Sequence, residues 1–286
     1  MKKKITNLAL IIALLSIIAA GLGVFWQGEG ESFAFETLRG ETVEVIGRGL
    51  YYYDTISYAA QAVAQDTVTL IIGVPLLIAG ILLTRKNSRR GYLLLTGTLG
   101  YFLYTYTSYV FLSAFNVVFL LYVALFSLTL FTFILAMMGL NPEKLKEEID
   151  ERFPHRGIII FFWILAGFLT LAWMGRIVPA LLAGTPPIGL ESYTTLVIQG
   201  LDLGIIVPAS ALTAVLLKRR QAWGYALTAV ILVKGLTMGM ALIAMIIGML
   251  MTGVQVSMME VIVFPGIAVA ALIFTLLMFR SVKETG

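Results

Sequence analysis

Two ionisable side chains, Asp202 and Lys234, interrupt stretches that are otherwise apolar. A charge inside a hydrocarbon layer is costly, and where one is kept it usually marks an ion path, a counter-ion or a proton relay. At ~1.5 Å per residue, Lys234 lies roughly 16 Å along the helix that begins near Trp223, and Asp202 lies about 24 Å from the basic end of the preceding helix. The two helices form a hairpin, and a Lys stem spans that difference in depth. Three readings stay open: an Asp202–Lys234 ion pair that locks the helices, a proton- or ion-coupled site, and a Lys234 that faces a water-filled cavity. Asp66, Arg176 and Glu260 fall near helix ends on the opposite side. A compact bundle gathers them with Asp202, whereas charge at the lipid–water boundary needs no such cluster. Asp66 and Asp202 could each also cap a helix N-terminus.

Tyr101, Tyr104, Thr105 and Ser108 share one helix face at about 100° per residue. Such a polar face points into a bundle, as interhelical hydrogen bonds or as the wall of a cavity. Tyr109 reads as an aromatic-belt residue, and Tyr51, Tyr52 and Tyr53 as part of the outer interface. Asn116, at the start of the next helix, adds a neutral ligand. The chain has no Cys, and His155 is its one His, in a polar connector, so thiol chemistry, bis-His haem and His-rich zinc sites are excluded. No nucleotide loop, zinc motif or Ser-His-Asp set is present. No catalytic residue, metal ligand or cofactor is therefore assigned. The candidate substrate or ion site consists of Lys234, Asp202, Tyr101, Tyr104, Asp66, Asn116 and Arg176.

The elements that must position these residues come in two similar sets. Pro75 is followed sixteen positions later by Gly91-Tyr92, and Pro208 sixteen positions later by Gly224-Tyr225. Each interval is apolar and ends in a basic cluster, Arg85-Lys86 or Lys218-Arg219. Tyr101 and Lys234 both lie ten residues beyond their Gly, so both units direct a polar group inward at one depth. Asp66 and Asp202 correspond more loosely, nine and six residues before their Pro. Pro75 and Pro208 interrupt helices two and six and free carbonyls for a cavity to use.

With 59% hydrophobic and 13% charged residues, and a mean hydropathy of +0.95, the chain is far too apolar for a soluble domain. Eight apolar segments of spanning length emerge, near 5–26, 66–84, 92–111, 116–138, 157–182, 196–217, 223–248 and 259–280. The net charge of +4 sits in short clusters between them, which argues against nucleic acid as a partner and fits the positive-inside pattern. The clusters fall on one side if all eight segments span, opposite Arg39, Arg48 and Arg176. Both termini are then cytoplasmic, in a multi-pass protein of the cell membrane. The first segment also has signal-peptide features, a basic start and Ala19-Ala20-Gly21. Its apolar run is long for a signal peptide, and the repeat assigns it a counterpart in the fifth segment.

The expected fold is an all-α integral membrane protein of about eight transmembrane helices, in two parallel four-helix repeats. Residues 1–138 form the first unit and 157–286 the second. A cytoplasmic connector, 139–156, carries a short helix capped by Asn141 with Pro142 at its first position. A small folded loop, 27–65, lies outside. Within it, residues 42–46 alternate in a strand-like way, and 57–65 read as an amphipathic interfacial helix.

Gly47-Arg48-Gly49-Leu50-Tyr51-Tyr52-Tyr53-Asp54, then Gln65-Asp66, Pro75, Arg90-Gly91-Tyr92 and Tyr104-Thr105-Tyr106 resemble a group of uncharacterised prokaryotic multi-spanning membrane proteins. The resemblance covers mainly residues 40–135. That group has no assigned activity, so it implies a membrane protein and carries over no functional residue. The expected partners are the lipid bilayer and a small molecule or ion. A transporter or ion-coupled carrier with a polar site between the repeats fits best. The alternatives are a sensor, assembly or accessory protein acting through the outer loop, and a membrane-embedded lipid-modifying enzyme using the acidic residues with Lys234 and the Tyr face.

Overall fold

The computed structural model describes residues 1–284. Helix α1 (Lys2–Phe25) leads into a hairpin of β1 (Phe33–Glu36) and β2 (Thr42–Val45). Helices α2 (Ile56–Val68) and α3 (Val74–Arg85) follow, joined by a π-helical turn, Thr69–Gly73. Next come α4 (Arg89–Leu112), α5 (Phe119–Met138), the short α6 (Pro142–Glu147) and α7 (His155–Ala183). Helices α8 (Val197–Leu201) and α9 (Val207–Lys218) flank a second π-turn, Asp202–Ile206, before α10 (Ala222–Met251) and α11 (Met258–Ser281).

Seven helical rods are long and apolar enough to cross a membrane: α1, Ile56–Arg85, α5, α7, Val197–Lys218, α10 and α11. The chain is an all-α, polytopic membrane protein. Its outer surface agrees, because Leu14, Ile18, Leu120, Phe131, Leu171 and Leu182 point away from the bundle and expose large apolar side chains. Helix α4 is as long as α1 but is not one of the seven. Its Thr and Tyr residues lower its hydropathy, and they face inward. Tyr101, Phe102, Thr105, Tyr106 and Tyr109 are all buried, and α4 packs on α3, α5 and α10 at the centre.

Each π-turn has a local cause. Proline has no N–H to give the carbonyl four residues back, and its ring crowds that carbonyl. Pro75 and Pro208 are each the second residue after a π-turn, where the widened turn absorbs the misfit. The prolines therefore bulge helices two and six without breaking them. The tight turns that follow also match. Asn87 and Arg220 adopt left-handed backbone, with φ 64° and 54°. A Cβ on Gly91 would lie 2.3 Å from the Leu83 Cβ, and one on Gly224 2.7 Å from the Leu217 N, so only glycine lets the next helix start so close. The adjoining tyrosines tie the turns down. The Tyr92 hydroxyl donates to the Ala136 carbonyl at 2.9 Å, and the Tyr225 hydroxyl lies 3.0 Å from His155 Nε2.

The basic turns converge on one end of the bundle. Arg85 donates to Asn7 Oδ1 at 3.2 Å, Arg89 pairs with Glu148 at 2.9 Å, and Arg90 donates to the Val282 carbonyl at 2.7 Å. The Glu284 carboxylate accepts from the Ser88 hydroxyl and from the Arg89 and Arg90 N–H groups at the start of α4. Helix α6 starts as its sequence predicts, with Asn141 Oδ1 accepting from the Lys144 N–H at 3.1 Å.

At the other end, the strand-like stretch is β2, paired antiparallel with β1 in the register Phe33↔Val45 to Glu36↔Thr42. Residues 57–65 differ from expectation. They form no separate interfacial helix but begin the 30-residue rod Ile56–Arg85. The small residues Ala59, Ala62 and Ala64 bring this part of the rod against its neighbours, α1 and α10, and it is buried there.

Candidate functional site

Asp202 opens the second π-turn and is almost fully buried. Its Oδ1 accepts from the Tyr104 hydroxyl at 2.7 Å and its Oδ2 from the Trp173 indole N–H at 3.0 Å. Lys234, from α10, places its ammonium 3.9 Å from the centroid of the same Tyr104 ring. Of the three readings left open, the direct ion pair is not formed: Tyr104 stands between acid and base. It gives its hydroxyl to Asp202 and its face to Lys234. A cation on an electron-rich ring is attracted by the ring quadrupole, by up to about 2 kcal/mol where water is excluded. Four helical rods thus contribute one side chain each: Tyr104 from α4, Trp173 from α7, Asp202 from the α8–α9 rod and Lys234 from α10. Lys234, Tyr104 and Trp173 each stay partly exposed along this seam.

The first half of the chain has the same construction with neutral groups. Thr69 opens the first π-turn, and its hydroxyl meets the Tyr101 hydroxyl at 2.9 Å. Gln65 completes the set, donating to Tyr101 at 2.8 Å and to Thr105 at 2.9 Å. Thr69 and Asp202 are 133 residues apart, as are Tyr101 and Lys234. The counterpart of Asp202 is therefore Thr69. Asp66 lies almost one turn earlier, which corrects its loose alignment with Asp202. The polar face of α4 is also divided: Tyr101 and Thr105 serve the neutral set, Tyr104 serves the charged one, and Ser108 donates to the Thr105 carbonyl.

Asp66 occupies a sealed pocket of its own. Its carboxylate accepts from the Tyr51 hydroxyl at 2.5 Å and the Tyr109 hydroxyl at 3.0 Å. Neither tyrosine is an interface residue, since both are buried; only Tyr52 and Tyr53 of the triplet are exposed. A buried acid needs donors wherever it lies. Here α1 leaves room for it at Gly23, where a Cβ would sit 1.7 Å from Asp66 Oδ2.

The expected gathering of Asp66, Arg176 and Glu260 with Asp202 does not occur. Arg176 turns to the loop after α7, its Nη2 2.6 Å from where a Gly189 Cβ would stand, with Glu191 and Glu260 as its acidic neighbours. Glu260 forms a capping box with Ser257 at the start of α11. Asn116 accepts from the Val118 N–H at 3.1 Å and shapes the turn into α5. Among the described residues, no three His, Asp or Glu side chains are placed to hold a metal ion.

A second polar cluster closes the loop end of the bundle. Asp54 is 1% exposed, and its Oδ1 accepts from the Ala114 N–H at 2.8 Å and the Tyr193 hydroxyl at 2.9 Å. Its Oδ2 is buried without a partner among the described residues. Burial pushes the Asp54 carboxyl up to about 7, against the pull of those two hydrogen bonds. The Thr55 hydroxyl donates to the Glu191 carboxylate, and Arg39 donates to the Glu191 and Tyr193 carbonyls at 2.9 and 2.7 Å. The long loop of the first half is thereby fastened to the 185–195 loop of the second. A cavity of about 490 Å³ adjoins this latch, walled by Phe33, Phe35, Tyr53, Phe111 and Tyr193.

Sequence reasoning missed Trp173, Gln65, Thr69, Gly23, Asp54 and Tyr193. Only Thr69 had a signal, its position 133 residues before Asp202. No family model, curated protein or solved structure matches the chain.

Proposed function

We propose that this protein is an ion-coupled membrane carrier with eight spans in two parallel four-helix units, and with its polar site where the units meet. The supporting observation is the Lys234–Tyr104–Asp202–Trp173 constellation. It holds one acid and one base deep in apolar helices, without direct contact, and draws Tyr104 from the first unit and the other three from the second. A structural ion pair gains most from direct contact, because each charge removed from water must be repaid by its partner. Separated charges on a partly exposed seam suit a site that changes occupancy. The matched π-turns and left-handed turn residues support the repeat, and with it an alternating movement of one unit against the other. In this reading α4 is a span hidden among the others, and the basic end, with both termini, faces the cytoplasm.

The test is flux in proteoliposomes, read with a trapped pH dye over a panel of small organic cations and anions. The wild type should give a substrate-dependent proton signal. Lys234→Met and Asp202→Asn should remove it while still inserting and eluting as folded protein. If the two variants keep wild-type flux, the seam is structural. The folded hairpin latched to the 185–195 loop favours one other reading, an accessory protein acting through its outer layer. In that case deletion of residues 30–50 removes function and the seam variants do not.

A further inference from the structure

The chemistry of the seam indicates what it takes. Lys234 makes no hydrogen bond or ion pair to any described residue, and its ammonium rests only on the Tyr104 ring. Two donors of the seam are already used: the Tyr104 hydroxyl and the Trp173 N–H both go to Asp202. Without Lys234, what remains is a carboxylate, the face of an aromatic ring polarised by that carboxylate, and an indole. Every one of these attracts positive charge. An anion in the same place would meet Lys234 but would also crowd Asp202, and the Tyr104 hydroxyl and Trp173 N–H are already given to that carboxylate.

We propose that the seam is a binding site for a monovalent organic ammonium ion, seated on Tyr104 beside Asp202, with Lys234 as its built-in competitor. This deepens the carrier reading and rests on it. An aromatic face with one carboxylate suits a large, weakly hydrated cation. A hard metal ion needs about six oxygen ligands, and Asp202 is the only carboxylate here.

The exchange conserves charge. The incoming ammonium takes the ring face, Lys234 passes from –NH3+ to –NH2, and the proton leaves to water, so the site keeps one positive charge against one negative one. Keeping both cations would set two positive charges against a single carboxylate in a low-dielectric layer. The neighbouring helices supply no second acid. Asp66 on α2 is enclosed by Gly23, Tyr51 and Tyr109, Glu260 on α11 is held by Ser257, and Arg176 on α7 turns to the 185–195 loop with its neighbours Glu191 and Glu260. Lys218 of α9 lies in its last turn, at the basic end.

The experiment is calorimetric binding to the purified full chain in detergent, from methylammonium to tetraethylammonium, with benzoate as the anionic control. Two buffers of different ionisation enthalpy count the protons released. The expected result is cation binding with about one proton released, and an affinity that rises up to tenfold per pH unit while Lys234 is protonated. Lys234→Met should bind the cation at least as tightly and release no proton. Should that variant fail to fold, Tyr104→Leu serves instead and should abolish cation binding. The proposal is overturned by binding of benzoate in place of the cations, by cation binding with no proton released from the wild type, by unchanged affinity in Tyr104→Leu, or by no binding of any cation in the series. Because binding is read without a gradient, a protein that binds with proton release but shows no flux sinks the carrier reading and leaves the site standing.

Discussion

Asp54 should make the outer latch sensitive to pH, and the direction follows from its surroundings. In an open, hydrated loop its carboxyl has the ordinary value of 3.8, and in the latched structure it is pushed to about 7, chiefly by burial. Below pH ~4 both states hold the proton, and the latch keeps its full strength. Between the two values the open state gives up its proton first, so rising pH favours opening. Above about 7 the loss is complete. Three pKa units at 1.36 kcal/mol each come to about 4 kcal/mol, an upper figure because nearby water relaxes it. Tyr193, Thr55, Glu191 and Arg39 face or flank the carboxyl, and Arg39 directs its Nη2 to the Glu191 and Tyr193 carbonyls and makes no ion pair with Asp54. No cation therefore holds Asp54 ionised. The assay is hydrogen exchange in nanodiscs at the Ala114 amide, which donates to Asp54 Oδ1, corrected for its intrinsic pH dependence. Protection should fall by up to tenfold per pH unit from about 4 to 7 and then level off. Asp54→Asn keeps the accepting oxygen and replaces the orphan Oδ2 with an uncharged group. It should match wild type at pH 4 within about 1 kcal/mol, remain flat with pH, and be better protected at pH 8. A flat wild-type profile, or equal slopes in the two proteins, would refute the argument.

Two further outcomes follow from close contacts. Gly23→Ala puts a methyl group 1.7 Å from the Asp66 carboxylate, so α1 must move off α2; we expect a loss of about 1–3 kcal/mol in thermal or denaturant unfolding, and near-neutral behaviour would mean that α1 is not seated as described. Glu284 is pushed up by its partial burial, but the Ser88 hydroxyl and the Arg89 and Arg90 N–H groups more than offset this and hold it below its ordinary 4.5. Its hold on the start of α4 is thus present above about pH 4.5 and fades as pH falls. Glu284→Gln should raise proteolytic access to the C-terminus at pH 7 and make little difference at pH 3.

Much of the architecture was legible because it rests on local rules. Apolar run length marks seven of the eight expected spans, Asn141-Pro142 marks a helix start, and the Pro–Gly-Tyr spacing marks two hairpins that share π-turns and left-handed turn residues. The site was legible only in part. Asp202, Lys234, Tyr101 and Tyr104 stand out because polar groups are rare in such segments. Their pairing is not a matter of spacing but of helix rotation, and rotation is set by contacts between distant segments. One such contact is the close approach of Gly97 on α4 to Val233 on α10. It fixes which side of Tyr104 Lys234 reaches. Trp173 and Tyr109 have the same pattern as belt residues, and only their burial and partners reveal them as donors to Asp202 and Asp66.

The two halves place different chemistry on one framework, and the difference argues for a division of labour. In the first, Thr69, Tyr101, Gln65 and Thr105 bond to one another inside a fully buried core. Those bonds join neutral groups, so their net contribution, about 1 kcal/mol each, is not changed by any proton. Such a network resists rearrangement. In the second half the same two positions carry Asp202 and Lys234. Their energy depends on protonation and on what lies between them, and their seam is partly open. Tyr104 joins the two, since it belongs to the helix of the rigid network and holds both charged groups of the other. A change of occupancy at its ring is therefore felt by α7, the α8–α9 rod and α10, and by α4 itself, which packs on α3, α5 and α10.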